Sequence, residues 1–323
     1  MPKTKFVSDL AKNEKVEKVT FAVSSIATAR KKDGSDFLRL VLADRTGTIN
    51  AVAWDNVDKI GAAARSGVFV DATGVVDEYQ SSRQMKIEDL AAVDQAQIDP
   101  ADFLPSLDRE TINAKFSRLR QITNDMASGE IKTLLGHFWN DRKFVEERFK
   151  RAPAAKHMHH AYLGGLLEHT LSVVELALAV CRHYGDRLNR DLLVAGAMLH
   201  DIGKTREFVY DWTIDYSDEG RMLNHIVCGI MMLEDKLKEF EFVTTETALQ
   251  LKHLIASHHG SREFGSPEPP KTLEALILNH IDEIDAKLAG IGNFISEQEP
   301  GQVWTSFHRP MERFFYIGRK KEG

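Results

Sequence analysis

The N-terminal part of the chain alternates between hydrophobic and polar positions, as half-buried strands do. Turn signals rich in Gly, Asp and Ser separate the alternating stretches from one another. The pattern predicts five strands, at residues 16–29, 36–44, 47–54, 67–79 and 83–92. Five short strands in succession favour a small Greek-key barrel of the OB type, although other small β folds have the same strand count.

The alternation also separates two faces of the predicted barrel. One side of the second strand carries leucine at positions 38, 40 and 42, so the other side is expected to face outward. Aromatic, cationic and amide side chains on outward positions suit the stacking and hydrogen bonding of single-stranded nucleic acid. We predict a nucleic-acid-binding face formed by Phe37, Arg39, Asn50, Trp54, Tyr79, Arg83 and Gln84. The alternative for Phe37 and Trp54 is packing against the rest of the chain.

After this region the hydrophobic period changes from that of strands to that of helices. Residues 94–106 contain two prolines and little periodicity, and we assign 96–106 as a linker. Helices are predicted near 107–127, 130–150, 162–184, 190–201, 221–240, 244–258 and 271–289. The predicted fold is therefore multidomain: an all-β OB-like barrel at 1–95, an all-α domain at 107–310, and a tail at 311–323.

Composition limits the classes of function. The 323 residues favour about two domains, and a formal net charge of −6 excludes an overall basic surface for nucleic acid. The two cysteines exclude a disulfide framework. The first residues contain no apolar stretch of signal-peptide length, and no run approaches the ~20 residues of a membrane span. We expect a cytoplasmic protein without membrane contact.

Histidine is distributed unevenly, because all 13 histidines follow residue 136. Several of them, together with two aspartates, stand on the apolar faces of consecutive predicted helices, where an isolated charge is costly. These residues are His169, His200, Asp201, His225, His258, His259 and Asp282. A shared metal ion explains the set with fewer assumptions than several independent buried histidines. Imidazole with carboxylate suits Mn²⁺, Fe, Co²⁺ or Zn²⁺ better than Ca²⁺.

The order His169, then His200-Asp201, then Asp282 resembles the H…HD…D signature of the HD phosphohydrolase superfamily, which has an all-helical fold. An OB-like region ahead of it, and the sequence APAAKHMHHAYLGGLLEHT at 152–170, make nearly the whole chain similar to the YhaM family of 3′–5′ exoribonucleases. This resemblance implies a metal-dependent hydrolase that shortens single-stranded RNA from its 3′ end to nucleoside 5′-monophosphates.

The resemblance also implies roles for individual residues. His169, His200, Asp201 and Asp282 would hold one metal ion, and Asp201 would bridge to a second ion completed by His225 and His258, with His259 less well defined. Manganese is the favoured metal. Lys204 would stabilise charge on the phosphoryl oxygens. His160, with His157 and His159, would bind phosphate or protonate the leaving oxygen.

Two other functions share these residues. One is an HD phosphodiesterase that acts on small cyclic nucleotides, which would not need an aromatic barrel face. The other is a nucleic-acid-binding protein with an inert HD scaffold, which the complete ligand set disfavours. Activity on single-stranded DNA and assembly into a homo-oligomer stay open.

Overall fold

The structure is a computed structural model, and it describes residues 3–65, 68–79, 82–156, 160–211, 213–239, 242–299 and 301–318. The side chain of Tyr79 lies outside the described residues. The chain divides into two compact units, 1–106 with 210–214 and 107–209 with 215–323.

Five strands of the first unit form a closed barrel in the order β1-β2-β3-β5-β4. The strands are β1 (Lys15–Arg30), β2 (Asp36–Asp44), β3 (Gly47–Ala53), β4 (Phe69–Tyr79) and β5 (Ser82–Val93). All neighbours are antiparallel except β3 and β5, which are parallel. This closure removes the exposed strand edges and confirms the predicted OB-type barrel. The short helix α1 (Val57–Ala63) between β3 and β4 was not predicted from the sequence.

The barrel core contains the side chains that the alternation predicted. The three leucines of β2 and their partners on β3 are nearly completely buried, and the core also contains Phe21, Val70 and Met85. A β-bulge between Val23 and Ser25 shifts the pairing of β1 with β2. Such an irregularity bends and twists the long first strand, which is what barrel closure requires.

The segment predicted as a linker belongs to the first unit. It forms two 3₁₀ turns, Gln95–Gln97 and Pro100–Asp102, each begun by an aspartate whose side chain accepts a backbone N–H. Phe103 is buried with its ring edge against Phe69, at a centroid distance of 4.7 Å. Residues 96–106 therefore extend the barrel.

The second unit is helical, as predicted. Its principal helices are α2 (Arg109–Asn124), α3 (Gly129–Asn140), α4 (Arg142–Phe144), α5 (Gly165–Tyr184), α6 (Arg190–Leu199), α7 (Lys204–Glu207), α8 (Asp218–Glu239), α9 (Thr245–Ser257) and α10 (Leu273–Ser296). The helix predicted at 130–150 is interrupted after Asn140, where the Asp141 side chain caps a new turn that continues as a π-helical segment, Val145–Phe149. A hairpin of β6 (Phe208–Tyr210) and β7 (Ile214–Tyr216) was also not predicted.

Helix α6 lies at the centre of the helical unit, packed against α5, α9 and α10. Every residue from Asp191 to Leu199 is buried, as expected for a helix that is apolar on all sides. Gly196 permits the close approach of α9, since a Cβ there would lie 2.7 Å from a methyl carbon of Leu254. The polar residues that follow α6 are thereby placed in the interior.

None of the described helices has the length and apolar character needed to cross a membrane.

Candidate metal centre

A buried turn between α6 and α7 carries the residues on which the site is built. His200 is 0% exposed and Asp201 is 3% exposed. Gly203 allows this turn to lie directly against α8, because a Cβ at that position would be 1.9 Å from the carbonyl oxygen of His225. A larger residue there would push the His200-Asp201 turn away from His225.

Asp201 lies at the centre of the histidines and divides them into two groups. Its Oδ2 is 3.4 Å from Nε2 of His169 and 3.5 Å from Nε2 of His200. Its Oδ1 is 3.5 Å from Nε2 of His225 and 3.6 Å from Nε2 of His258. Each carboxylate oxygen therefore faces a different pair of imidazoles.

Two sets of candidate ligands correspond to these two sides. Asp282 completes the first, with its Oδ1 3.1 Å from Nε2 of His169 and 3.7 Å from Nε2 of His200. On the second side, ligand atoms of His225, His258 and His259 all lie within 4.8 Å of one another. Imidazole nitrogens with carboxylate oxygens form a donor set that can hold divalent transition metals.

The other ring nitrogen of each histidine is held by a partner away from the centre. Nδ1 of His200, His258 and His259 donates to backbone carbonyls of Ala197, Ile255 and Phe264, at 2.9, 2.8 and 2.8 Å. For His225 and His169, the partner of Nδ1 is a carboxylate. Glu207 is 3.1 Å from Nδ1 of His225, and Asp285 is 2.7 Å from Nδ1 of His169. Such contacts set the tautomer and aim the Nε2 lone pair at a metal.

The buried nitrogens fit a cation. Nε2 of His225 and Nε2 of His258 are buried and have no hydrogen-bond partner among the described residues. The Nε2 atoms of His169 and His200 lie 3.2 Å apart, and both are close to Asp201 and Asp282. The buried Nε2 atoms of His225 and His258 without donors are costly, and a shared cation removes the cost.

The electrostatics of the centre also favour a positive charge. Burial alone would raise the pKa of Asp201, but the Lys204 ammonium and the imidazoles hold it well below its usual range. Burial likewise opposes the charged form of His169, yet hydrogen bonds to three carboxylates raise its pKa well above the ordinary value. Burial lowers the pKa of His258 and of His259, which keeps these rings in the neutral form that binds metal.

Lys204 is buried in this centre and is 8% exposed. Its Nζ lies 2.6 Å from Oδ2 of Asp201. The structure therefore brings Lys204 to the same carboxylate oxygen that faces His169 and His200. The alternative of a surface lysine at a helix end does not describe this residue.

His160 shares Asp285 with His169, and ligand atoms of the three residues lie within 4.8 Å of one another. Its Nε2 is 3.2 Å from Oδ2 of Asp285, and its Nδ1 is 2.8 Å from the hydroxyl of Tyr162. These contacts join His160 to Asp285 and Tyr162, and its roles in proton donation and phosphate binding remain predictions. His157 and His159 lie outside the described residues.

Sequence reasoning missed two residues, Asp285 and Glu207. Asp285 follows Asp282 by one helical turn on α10, so the same periodicity that selected Asp282 could have found it. Glu207 had no comparable signal, because it precedes a short hairpin that the sequence pattern did not reveal.

The predicted nucleic-acid face of the barrel is only partly open. Arg39, Asn50 and Arg83 are exposed, and Trp54 is 41% exposed. Phe37 is 6% exposed, because its ring stacks on Trp54 at a centroid distance of 4.5 Å. The outward placement of Phe37 as an open stacking surface is therefore wrong, since the neighbouring aromatic ring covers it.

The remaining members of this face are placed by the strand register. Asn50 of β3 pairs with Gln84 of β5, so their side chains are neighbours on the sheet. The Arg83 guanidinium donates to the carbonyl oxygen of Leu10 at 2.6 Å. Tyr79 pairs with Ser82 through its backbone, and its side chain lies outside the described residues.

Comparisons with known proteins match both units. Residues 166–287 match the family model described as HD domain, and residues 22–93 match an OB-fold nucleic acid binding domain. A third match, over 128–189, is to the TraI_2 family.

Curated relatives match over most of the chain. The 3′–5′ exoribonuclease YhaM of Bacillus velezensis is 32% identical over 297 residues, which cover 92% of this chain and 93% of that protein. The protein of the same name from Bacillus subtilis is 33% identical over 285 residues, covering 88% and 89% of the two chains. A Geobacillus protein of that name is 32% identical over 302 residues.

Proposed function

Because the chain belongs to the YhaM family of 3′–5′ exoribonucleases, we propose that it hydrolyses single-stranded RNA from the 3′ end and releases nucleoside 5′-monophosphates. The observation that carries this proposal is the buried array of imidazoles around Asp201, in a chain that also contains a closed OB barrel. Single-stranded DNA is a second substrate to be tested, because stacking on aromatic side chains does not distinguish the two sugars.

The residues that would hold the metal ions follow from the two sides of Asp201. His169, His200, Asp201 and Asp282 would hold one ion, and Asp201, His225 and His258 would hold the second, with His259 adjacent. When bound, two divalent ions lower the pKa of a water and stabilise charge on phosphoryl oxygens. Mn²⁺ is our first choice among Mn²⁺, Fe, Co²⁺ and Zn²⁺ for this donor set.

Lys204 supplies a cation of the protein's own. Burial alone would lower its pKa, but the charge and the hydrogen bond of Asp201 raise it, so the ammonium group stays protonated at neutral pH. A fixed ammonium group beside the Asp201 carboxylate can donate to a phosphoryl oxygen on which negative charge develops. We therefore assign Lys204 a role in binding and stabilising the reacting phosphate.

The preference for a single strand has a physical basis. Duplex RNA keeps its phosphodiester bonds in a stacked A-form geometry, which a centre buried among helices cannot reach easily. The acidic chain, with a net charge of −6, also gives little reason to hold a duplex backbone along its length. The 3′-to-5′ direction itself is taken from the family.

The test is an incubation of metal-loaded protein with 5′-labelled RNA. We expect a ladder that shortens from the 3′ side, release of nucleoside 5′-monophosphates, and stalling at stable hairpins. Early 5′-labelled mononucleotide, or cuts in circular RNA, would contradict the exonuclease. Consumption of small cyclic nucleotides with RNA left intact would identify a small-molecule phosphodiesterase instead.

A further inference from the structure

A half-exposed tyrosine flanked by two cations lies just before α8. The ring of Tyr216 is 39% exposed. Lys156 Nζ and the Arg221 guanidinium carbon lie 5.7 and 5.8 Å from its centroid. The ring of Phe208 supports Tyr216 at 5.2 Å. These residues, called here the Tyr216 cluster (Tyr216, Lys156 and Arg221), belong to the helical unit and are not among the candidate metal ligands.

One end of the metal centre is connected to this cluster through α7. The backbone N–H of Ser217, the residue after Tyr216, donates to the carbonyl oxygen of Glu207 at 2.8 Å. The side chain of the same Glu207 holds Nδ1 of His225 at 3.1 Å. Tyr216 is therefore separated from a candidate ligand by a short chain of direct contacts.

An ion pair holds Lys156 in the cluster. Lys156 Nζ pairs with Oδ1 of Asp215, the residue before Tyr216, at 2.8 Å. The Tyr216 cluster is therefore joined to the metal centre through Glu207, which contacts the candidate ligand His225.

The charge of the cluster suits a nucleic-acid strand. Asp215 pairs with Arg221 at 2.9 Å as well as with Lys156, so two cations share one carboxylate and the cluster keeps a net positive charge. Tyr216 is a half-exposed aromatic ring with a lysine and an arginine over it. Proteins use aromatic rings together with cations to hold an unpaired base and its phosphate. Neither a purely structural ion pair nor a core aromatic ring would require the Tyr216 ring to be 39% exposed.

We propose that Tyr216 is the stacking platform for a base at the 3′ end of the RNA, with Lys156 and Arg221 contacting the adjacent phosphate. This inference rests on the proposed function, and it names the group that holds the substrate at the metal centre. It also assigns base recognition to the helical unit, in addition to the barrel.

The test compares a complete RNA with an abasic RNA. The abasic RNA lacks only the base of its 3′-terminal nucleotide or of its penultimate nucleotide. Wild-type protein should show a KM about tenfold lower for the complete RNA, as expected from one stacked base. Tyr216→Ala should raise the KM for the complete RNA to that of the abasic RNA, and Tyr216→Phe should keep the difference. Tyr184→Ala, which removes a 49% exposed tyrosine at the end of α5, should behave as wild type.

Arg221→Gln provides a second variant that does not depend on the aromatic ring. Its side chain is 56% exposed, so the substitution should leave the fold intact. Loss of one phosphate contact should reduce the slope of log affinity against log salt by about one. Metal content should stay unchanged in all variants.

The outcomes separate this inference from the proposed function. If Tyr216→Ala still distinguishes complete from abasic RNA, or slows both RNAs equally while losing metal, the stacking role is overturned. If wild-type protein shortens neither RNA, the proposed exoribonuclease function fails first. If the slope of log affinity against log salt is unchanged in Arg221→Gln, the proposed phosphate contact of Arg221 is overturned.

Discussion

Two aspartates, one in each unit, are buried to a similar extent but have different surroundings. Asp44 of the barrel is 6% exposed and Asp201 of the helical unit is 3% exposed. Both oxygens of Asp44 accept hydrogen bonds, from Val7 N–H at 2.8 Å and from Thr46 N–H at 2.9 Å, and Lys3 Nζ lies 2.6 Å away. Asp201 has one close cation, Lys204, and otherwise faces four imidazole nitrogens at 3.4 to 3.6 Å.

The difference separates a carboxylate whose hydrogen bonding is complete from one whose surroundings fit a metal ion. Hydrogen-bond donors satisfy both carboxylate oxygens of Asp44, so this side chain needs no additional ligand. The imidazole nitrogens lie 3.4 to 3.6 Å from Asp201, too far for good hydrogen bonds, and Nε2 of His225 and Nε2 of His258 have no hydrogen-bond partner among the described residues. Burial alone therefore does not indicate a metal centre, whereas burial with incomplete hydrogen bonding makes Asp201 the better candidate.

The largest expected effect comes from removing the negative charge of Asp201. Asp201→Asn should reduce the rate of RNA hydrolysis by about 10³-fold or more, because loss of metal stabilisation costs several kcal/mol. The protein should stay folded, since the side-chain volume is kept. Asp44→Asn is the matched control: it should destabilise the barrel by about 3 kcal/mol and leave cleavage of a dinucleotide unchanged. Full activity in Asp201→Asn would contradict the assignment.

Metal binding should stabilise the helical unit selectively. Saturation with Mn²⁺ at about 100 times its Kd should add about 2.7 kcal/mol to the free energy of unfolding. Hydrogen exchange should slow in peptides from α5, α6, α8, α9 and α10, with little change in the barrel strands. Equal protection of both units on metal addition would show that the ion does not act through this centre.

The outer carboxylates should have a smaller effect. Asp285→Asn keeps the shape of the side chain but weakens its hold on Nδ1 of His169, so metal affinity should fall by about 10- to 100-fold. Titration of metal-free protein with Mn²⁺ measures this change. Recovery of wild-type activity at high Mn²⁺ would support a positioning role, whereas an irrecoverable loss would indicate that Asp285 is itself a ligand.

The smallest effect is expected on the barrel face. Trp54→Ala should weaken binding of long single-stranded RNA by about tenfold, the order expected for loss of one stacked base, and should leave cleavage of a dinucleotide unchanged. Trp54→Phe should restore most of the affinity. Phe37 is a poor target because its burial means that truncation would destabilise the barrel. Unchanged affinity in a folded Trp54→Ala protein would show that this face does not bind RNA.

Most of the fold could be predicted from local periodicity. Alternation selected the buried face of β2 and β3, and the 3–4 spacing placed His169 among apolar residues of α5. These predictions hold because each depends only on neighbours within the same element. The predicted helix at 130–150 failed at Asp141, where the side chain caps a new turn and so ends α3.

The candidate site was predictable as a set of residues, because polar groups on apolar helix faces are costly in any fold that buries them. Sequence alone could thus determine that His169, Asp201 and Asp282 belong together. Only the tertiary structure decided that Asp201 presents one oxygen to each pair of histidines, and that Asp285 and Glu207 orient the rings from behind. The physical reason is that these contacts join helices distant in sequence, and their geometry depends on how closely the helices approach, as Gly203 permits between α7 and α8.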